Sequence, residues 1–436
     1  MSRLLDALYL VALLLLSPWL IYRAWRTGRY RQGLRHKLRG LDMDVPAGAV
    51  WFHAVSLGEV HVLRQLVPAF RERHPDRPCV VSATTDTGME EARKLFPDLV
   101  VFPFPFDFSW ACRRTLDRVR PSLIVLTESE LWPNFLGEVR RRHIPVALVN
   151  GRMSPRSSAR YRRLSPLVRR MFAGLDLVAV QTDEYAAAML TLGATPGQVV
   201  VTGNLKYDGA MTERENRKSL DLAALLSLSR DDLVLIAGST CDPEERAILD
   251  LYHRAVVVHP RLRLILVPRQ PDRFDEVARL LEGRAIPFVR RSALSAPVKV
   301  LDGEIPPVVL VDTIGELNAL YALASVAFVG GSLDGKRGGQ NMIEPAAYGA
   351  AVVFGPHVWN FADPSSRLLA SGGACQAKNP AELTEIVLRL LADPAERAVI
   401  GKLARAFVLS QQGATRRTLD RLDRLLRATG QEEQAA

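Results

Sequence analysis

Beyond residue 45 the chain repeats one theme, a short run of β-branched and aliphatic residues followed by a longer amphipathic stretch. This alternation constrains the fold more than any other feature. The runs are Val50–Val55, Cys79–Ala83, Val100–Phe102, Leu123–Leu126, Val146–Val149, Leu177–Val180 and Val199–Val201 in the first half. In the second half they are Leu233–Ala237, Leu262–Val267, Val308–Val311, Val326–Val329 and Ala351–Phe354. Strands about 25 to 30 residues apart, with helices between them, are βαβ units, which build parallel sheets covered on both faces. A chain of 436 residues exceeds one ordinary core. The pattern therefore predicts an α/β protein with two doubly wound, Rossmann-like domains facing a cleft. Residues 209–231 are polar at first and carry no strand-like run, so the hinge is expected there. The expected organisation is an anchor over 1–24, a first domain over 25–210, a linker over 211–231, a second domain over 232–410, and a basic amphipathic helix with its tail over 411–436.

The amino terminus sets a second constraint. Leu4 to Tyr22 is a mostly apolar run, long enough to cross a bilayer and interrupted by Asp6 and Pro18. Basic residues follow at Arg23, Arg26, Arg29, Arg31, Arg35, Lys37 and Arg39. A cleaved signal peptide carries its charge before the apolar run, the reverse of this order. The positive-inside rule places the body of the protein in the cytoplasm, and a helix lying in the membrane interface would keep the same side. The formal charge of +10 lies wholly in residues 1–210, with 29 Lys and Arg against 19 Asp and Glu, while residues 211–436 hold 28 of each. A basic half suits an anionic partner, either nucleic acid or phosphorylated lipid. The four cysteines show no CxxC pairing, and no HExxH occurs, which argues against a disulfide framework and a dedicated metal site.

Chemistry-bearing residues gather where strands end. In "WFHAVSLGEV" a strand runs into Ser56 and Glu59, which have the spacing of a capping box. The same carboxylate, at the carboxyl end of a strand, could instead be a general base. "TESELWPNF" places Glu128 and Glu130 directly after another strand, as paired acids or as the solvated start of a helix. "NGRMSPRSSARYRRLSPLVRR" holds seven arginines from Arg152 to Arg170 and one aromatic residue, Tyr161, a composition for phosphate contacts rather than base stacking. In the second half Gly330, Gly331 and Ser332 open a glycine-rich loop that leads to a helix expected near Asn341. Ser239, Thr240 and Arg269 leave neighbouring strands on the same edge. Glycines, hydroxyls, an arginine and a helix start together suit a phosphate ester, although the Ser-Thr pair and the Asn341/Glu344 spacing also read as caps. In "DTIGEL", Asp312 or Thr313 is an expected cap.

The motifs "HAVSLGE", "TDTGMEEA", "ESELWPN", "NGRMSPRS", "VTGNLKYD", "LVPRQPDRF", "DTIGELNALY" and "FVGGSL…GGQNMIEPAA" follow in this order after an amino-terminal anchor. Together they resemble the Kdo (3-deoxy-D-manno-octulosonic acid) transferases of lipopolysaccharide synthesis, over about residues 5–425. The resemblance implies the GT-B glycosyltransferase fold and transfer of Kdo from CMP-Kdo to a lipid A precursor at the cytoplasmic face of the inner membrane. It implies no cofactor, no tightly held metal and no nucleic-acid partner. The first domain then binds the acceptor and the second the donor. The family's general base falls on Glu59, and its helpers of the transition state on Glu128 and Lys206. Its CMP contacts fall on Pro268, Arg269, Ile314, Gly315, Glu316, Asn341, Met342, Ile343 and Glu344. The chain departs from the family at Cys241 and Gln270, where members often have His, at Met342 in place of Pro, and in a loop 333–339 one residue longer. Two rival readings share parts of the pattern: another GT-B enzyme using a UDP-sugar, such as an epimerase or a GlcNAc transferase, and a non-enzymatic membrane-tethered binder of anionic lipid.

Overall fold

A computed structural model describes residues 2–27, 33–153, 155–162, 165–229, 231–300 and 304–435. Arg23, Arg26, Arg29 and Arg31 of the expected basic cluster lie outside the residues whose side chains are described. Contacts divide the chain into two compact units, Met1–Gly209 with Gln411–Ala436, and Ala210–Ser410.

The strands of the first unit are β1 (Val50–Ala54), β2 (Cys79–Ala83), β3 (Val100–Pro103), β4 (Leu123–Thr127), β5 (Val146–Gly151), β6 (Leu177–Val180) and β7 (Val199–Val201). They pair in the order β3-β2-β1-β4-β5-β6-β7, all parallel. The second unit has β8 (Leu233–Thr240), β9 (Leu262–Pro268), β10 (Phe288–Arg290), β11 (Val308–Leu310), β12 (Val326–Val329), β13 (Ala351–Phe354) and β14 (Ala374–Gln376). Their order is β10-β11-β9-β8-β12-β13-β14, again parallel. The two doubly wound sheets predicted from the alternation are therefore present. The strands missed in the sequence, β10 and β14, are three-residue edge strands, too short to show a periodicity.

Each sheet is buried on both faces, which is why its strands read as unbroken apolar runs. Every residue of β1, β2 and β4 is buried. Trp51 packs among Phe102, Phe104 and Phe135 on one face. On the other, Phe52 meets Phe70 of the helix Leu57–Arg73. The C-terminal helix Ala414–Ala435 belongs to this same unit: Leu419, Leu422 and Leu426 join the core, and Asp423 accepts from Arg73 at 2.9 Å and pairs with His74 at 2.7 Å. Asp208 accepts the amides of Gly413 and Thr415 at 2.6 and 2.5 Å, which satisfies free N–H groups where that helix starts. The C-terminal basic helix, expected to pack on the body, packs on the first unit.

In both sheets the chain reverses its winding between two central strands, β1 and β4 in the first and β8 and β12 in the second. Ligands of open α/β sheets bind at the carboxyl ends of such strand pairs. That rule directs attention to the loops after β1, β4, β8 and β12.

The helix α1 (Ser2–Thr27) is long and apolar enough to cross a membrane by length and composition. Its Asp6, however, is only 7% exposed and docks on the first unit. Asp6 accepts from Ser109 N at 2.8 Å, Ser109 Oγ at 2.5 Å and Asn134 Nδ2 at 3.0 Å. Tyr9 donates to Asp107 Oδ2 at 3.1 Å and packs edge-on against Phe108. After it, α2 (Leu34–Arg39) packs on the helix Ser109–Val119, and Leu38 O accepts from Trp110 Nε1 at 2.8 Å. Lys37, one of the basic residues that follow the apolar run, is 5% exposed and pairs with Asp86 at 3.7 Å.

Candidate active site

The two switch points carry one theme in two versions. In each unit a glutamate in the first turn of the helix that follows the first central strand is hydrogen-bonded from the carboxyl end of the other strand or the loop after it. In the first unit it is Glu59. Its Oε2 accepts Val55 N at 2.9 Å and Thr127 Oγ1 at 3.0 Å, and its Oε1 accepts Ser56 Oγ at 3.1 Å. This differs from the capping box expected from Ser56 and Glu59. Ser56 is the residue before the helix but makes no side-chain cap bond; its hydroxyl donates to the carboxylate instead. Glu59 reaches past Ser56 to the preceding amide because its carboxylate is drawn toward Thr127 at the end of β4.

Burial raises the Glu59 carboxyl above its ordinary value, the nearby Glu128 carboxylate adds to this, and the three hydrogen bonds oppose it. Desolvation is the largest of these effects. Thr127 Oγ1 lies 2.9 Å from His53 O as well as 3.0 Å from Glu59 Oε2. A hydroxyl has one proton to give. Thr127 can donate to an ionised Glu59, or turn to His53 O and accept from a protonated one, so the site suits either state. His53 is a buried, neutral imidazole: burial pushes its pKa down to about 3, and it stacks on Phe104 at 3.8 Å.

Glu128 follows β4 with φ 58°, a left-handed conformation costly for a residue with a side chain. Its carboxylate holds Arg152 Nε at 2.6 Å and Lys206 Nζ at 3.2 Å. Lys206 is set by a second strained residue, Asn150 at φ 53°, whose Oδ1 accepts Leu205 N at 3.0 Å, while Lys206 N donates to Asn204 Oδ1 at 3.0 Å. The structure thus joins Glu128 and Lys206 in one ion pair and places Glu128 electrostatically beside Glu59. Glu130 joins them: burial and then the Glu59 carboxylate push its carboxyl up to about 7, and Trp132 Nε1 donates to it at 2.9 Å. Of the arginine-rich stretch, Arg152 is bound to Glu128, while Arg160, Arg162, Arg169 and Arg170 are exposed.

In the second unit the corresponding glutamate is Glu244, which was not singled out in the sequence. It is 1% exposed and accepts four amides: Gly331 N at 2.7 Å, Ser332 N at 2.8 Å, Leu333 N at 3.0 Å and Cys241 N at 2.9 Å. A Cβ on Gly330 would lie 2.7 Å from the Glu244 carboxylate, so glycine is required there. The amides of Gly331 and Ser332, expected to cradle a phosphate, are therefore occupied by a carboxylate of the same chain. Ser332 Oγ is also committed, donating to Val329 O at 2.7 Å and accepting Gly355 N at 2.9 Å. The only sequence clue to Glu244 is its place in "STCDPEE" after β8.

What remains around this edge can meet a ligand. Arg269 is exposed and has no ion-pair partner among the described residues, and its amide donates to Thr240 O at 2.9 Å. Ser239 is half-buried with φ 55°, whereas Thr240 and Pro268 are buried. The loop after β11 carries Ile314, 82% exposed for a large apolar side chain, then Gly315 at φ 91° and Glu316, which pairs with Arg291 at 2.8 Å and bonds Thr313 Oγ1. Asp312 caps no following helix; it accepts Ser292 N at 2.8 Å and Ser292 Oγ at 2.6 Å. The helix expected near Asn341 is the five-residue Ile343–Ala347. Asn341 Nδ2 donates to Glu344 Oε1 at 2.9 Å and Asn341 Oδ1 accepts Ile343 N at 3.1 Å, while the Met342 and Ile343 side chains are fully buried and offer a ligand only their backbone. Of the departures, Met342 fills core space and Gln270 Oε1 accepts Arg337 Nη1 at 3.0 Å, tying down the longer loop.

A sequence profile described as 3-deoxy-D-manno-octulosonic-acid transferase matches residues 24–209. The 3-deoxy-D-manno-octulosonic acid transferase of Bordetella pertussis is 38% identical, aligned over 95% of this chain and 98% of its own. That of Haemophilus influenzae is 33% identical over 91% and 92%. Among solved structures, Anabaena HepE in complex with UDP-glucose superposes with a TM-score of 0.56 at 14% identity, covering 86% of this chain and 99% of its own. MnaA of S. aureus with UDP gives 0.56 at 11%, covering 88% and 97%. These two likenesses concern the fold, two Rossmann-like domains of the GT-B class. With two parallel sheets of that class and full-length relatives at this identity, the chain belongs to the 3-deoxy-D-manno-octulosonic acid (Kdo) transferase family and is a glycosyltransferase.

Proposed function

We propose that this protein transfers Kdo from CMP-Kdo to a phosphorylated lipid A precursor in lipopolysaccharide synthesis, at the cytoplasmic face of the inner membrane, by a direct inverting displacement. The acceptor hydroxyl oxygen bonds to the anomeric carbon, the bond from that carbon to the phosphate oxygen breaks, and CMP leaves with the electron pair. Glu59 takes the hydroxyl proton. Arg269 stabilises charge on the departing phosphate. Lys206, fixed by Glu128, assists the transition state, and the exposed arginines from Arg160 to Arg170 hold acceptor phosphates. No resident metal enters this scheme.

The observation that carries the reading is the state of Glu59. Glu244, in the matching place, is saturated by four amides and fixed in one role. Glu59 instead has one amide and two hydroxyls, partners that can reorient when it gains a proton, and burial and Glu128 increase its proton affinity. These are the properties of a base rather than of a structural acceptor.

The test is turnover of CMP-Kdo by purified protein with a lipid A precursor, products resolved by mass, with and without EDTA. Transfer of Kdo with an inverted anomeric centre, insensitive to EDTA, is the expected result. Turnover of a UDP-sugar in place of CMP-Kdo, or strict dependence on a divalent cation, refutes it.

A further inference from the structure

Two helices of the first unit begin without caps of their own. The helix Ser109–Val119 follows β3 and the helix Pro133–Arg141 follows β4, and the residues before them, Phe108 and Trp132, make no side-chain cap bond. The first-turn amides of a helix need acceptors. Here they come from two buried aspartates elsewhere in the chain. Asp6 of α1 accepts Ser109 N at 2.8 Å, and Asp107 accepts Asn134 N at 3.0 Å and Phe135 N at 2.8 Å. Asn134 ties the two together: its Nδ2 donates to Asp6 Oδ1 at 3.0 Å and to Asp107 O at 2.7 Å. Tyr9, about one turn further along α1, donates to Asp107 Oδ2 at 3.1 Å. The helix α1 thus supplies the acceptor that the first of these helices lacks and a donor to the aspartate that caps the second.

The second helix start borders the acid cluster. Trp132 donates its indole N–H to Glu130 Oε2 at 2.9 Å, and its carbonyl accepts Leu136 N at 2.9 Å in the first helical turn. The turn that Asp6 and Asp107 hold therefore also sets where that indole stands. Glu130 in its turn lies electrostatically beside Glu59. A parallel route runs through Phe135, whose ring lies 4.8 Å from Phe104, which stacks at 3.8 Å on His53. His53 O and Glu59 share the Thr127 hydroxyl. Contiguous packing and hydrogen bonds thus connect α1 to the base, the kind of network that carries coupling between separated groups.

We propose that Asp6 is a positioning residue for the transfer reaction: seated between Ser109 and Asn134, it holds the turn that places Trp132 and Glu130 beside Glu59, so that α1 serves the active site directly and not only through its apolar length. This rests on the reaction proposed above. A segment that merely tethers an enzyme can be spared once the acceptor is dispersed in detergent, whereas a segment that positions reacting groups cannot. Small misplacements of such groups cost up to ~10² in rate. The loss belongs in kcat, because the proposed donor contacts are residues of the second unit.

The test is transfer by the full chain in detergent with a detergent-dispersed lipid A precursor, where attachment to a bilayer plays no part. Asp6→Ala should lower kcat by about 10- to 100-fold with the KM for CMP-Kdo unchanged. Asp6→Asn should restore it, because its Oδ1 can accept both Ser109 N and Asn134 Nδ2 while its NH2 donates to Ser109 Oγ. Leu14→Ser and Leu15→Ser, at side chains 71% and 76% exposed on the same helix, should keep the wild-type kcat. A readout independent of turnover is the indole N–H resonance of Trp132, assigned with Trp132→Phe: it should move in Asp6→Ala and stay in place in Asp6→Asn and the leucine variants. Tyr9→Phe keeps the ring against Phe108 and removes the donor to Asp107, so it should show the same two changes at smaller size and replaces Asp6→Ala if that chain does not fold. A wild-type kcat, an unmoved Trp132 resonance, or an equal loss in Leu14→Ser overturns the positioning role and leaves the transfer reaction untouched. Absence of CMP-Kdo turnover by the wild-type chain refutes the transfer reading instead, and the Trp132 resonance still decides whether Asp6 holds that turn.

Discussion

Replacing Glu59 by Gln isolates the chemistry of one proton. The amide oxygen of Gln can keep the 2.9 Å bond from Val55 N, and its NH2 can donate to Ser56 Oγ, which loses only the direction of its 3.1 Å bond. Thr127, 2.9 Å from His53 O, has that carbonyl as an alternative acceptor. At most one hydrogen bond is exchanged, a net cost of about 1 kcal/mol. Removing a buried carboxylate next to Glu128 offsets part of it. For a domain of this size that is a fall of roughly 2–4 °C in Tm. CMP affinity, which the proposed mechanism assigns to residues of the second unit, should not change. Transfer, by contrast, should fall by about 10²–10⁴, since the amide cannot accept the acceptor's proton. The assay is single-turnover transfer from CMP-Kdo beside calorimetric CMP binding and a melting curve. A Gln variant with near wild-type transfer would return Glu59 to a structural role and pass the base to Glu130; a collapse in Tm larger than 10 °C would show that the carboxylate was holding β1 to β4.

Ser56→Ala removes a donor to the Glu59 carboxylate rather than a cap, so the acidic limb of the pH–kcat/KM profile should move to higher pH with little change in Tm. Glu130→Gln should remove a second titration near pH 7 from that profile, because burial first and then the Glu59 carboxylate raise the Glu130 carboxyl to about 7; an unchanged profile would show that Glu130 takes no part in it. Glu244→Gln puts an NH2 group against two amides that now have an acceptor, which costs about 2–6 kcal/mol at ~1–3 kcal/mol per unsatisfied group and should loosen the loop after β12, read as faster amide exchange at Gly331–Leu333 and weaker CMP binding. Deleting residues 1–22 should leave a folded, CMP-binding protein with a lower Tm, since Ser109 and Asn134 lose their Asp6 acceptor while both sheets stay intact; an unfolded product would show that α1 completes the core.

The sequence by itself determined the architecture. Parallel strands buried on both faces must be apolar throughout, and the helices that cover them must be amphipathic, so twelve of the fourteen strands among the described residues announce themselves. It also marked the strand ends where Glu59, Glu128, Arg269 and Ile314 stand, because a doubly wound fold assigns ligands to those ends. What it could not tell was which polar groups spend themselves on each other. "SLGE" and "STCDPEE" look like two helix starts, yet only tertiary contact shows Glu244 filled by three amides from a loop nearly ninety residues away beside the local Cys241 N, and Glu59 left with partners that can turn. The same holds for Asp6. Within the apolar run it reads as an interruption of a membrane span, and only its bonds to Ser109 and Asn134 reveal it as the point where that helix is clamped to the protein. Hydrogen-bond saturation and burial belong to pairs of groups brought together by the fold, and no periodicity along the chain encodes them.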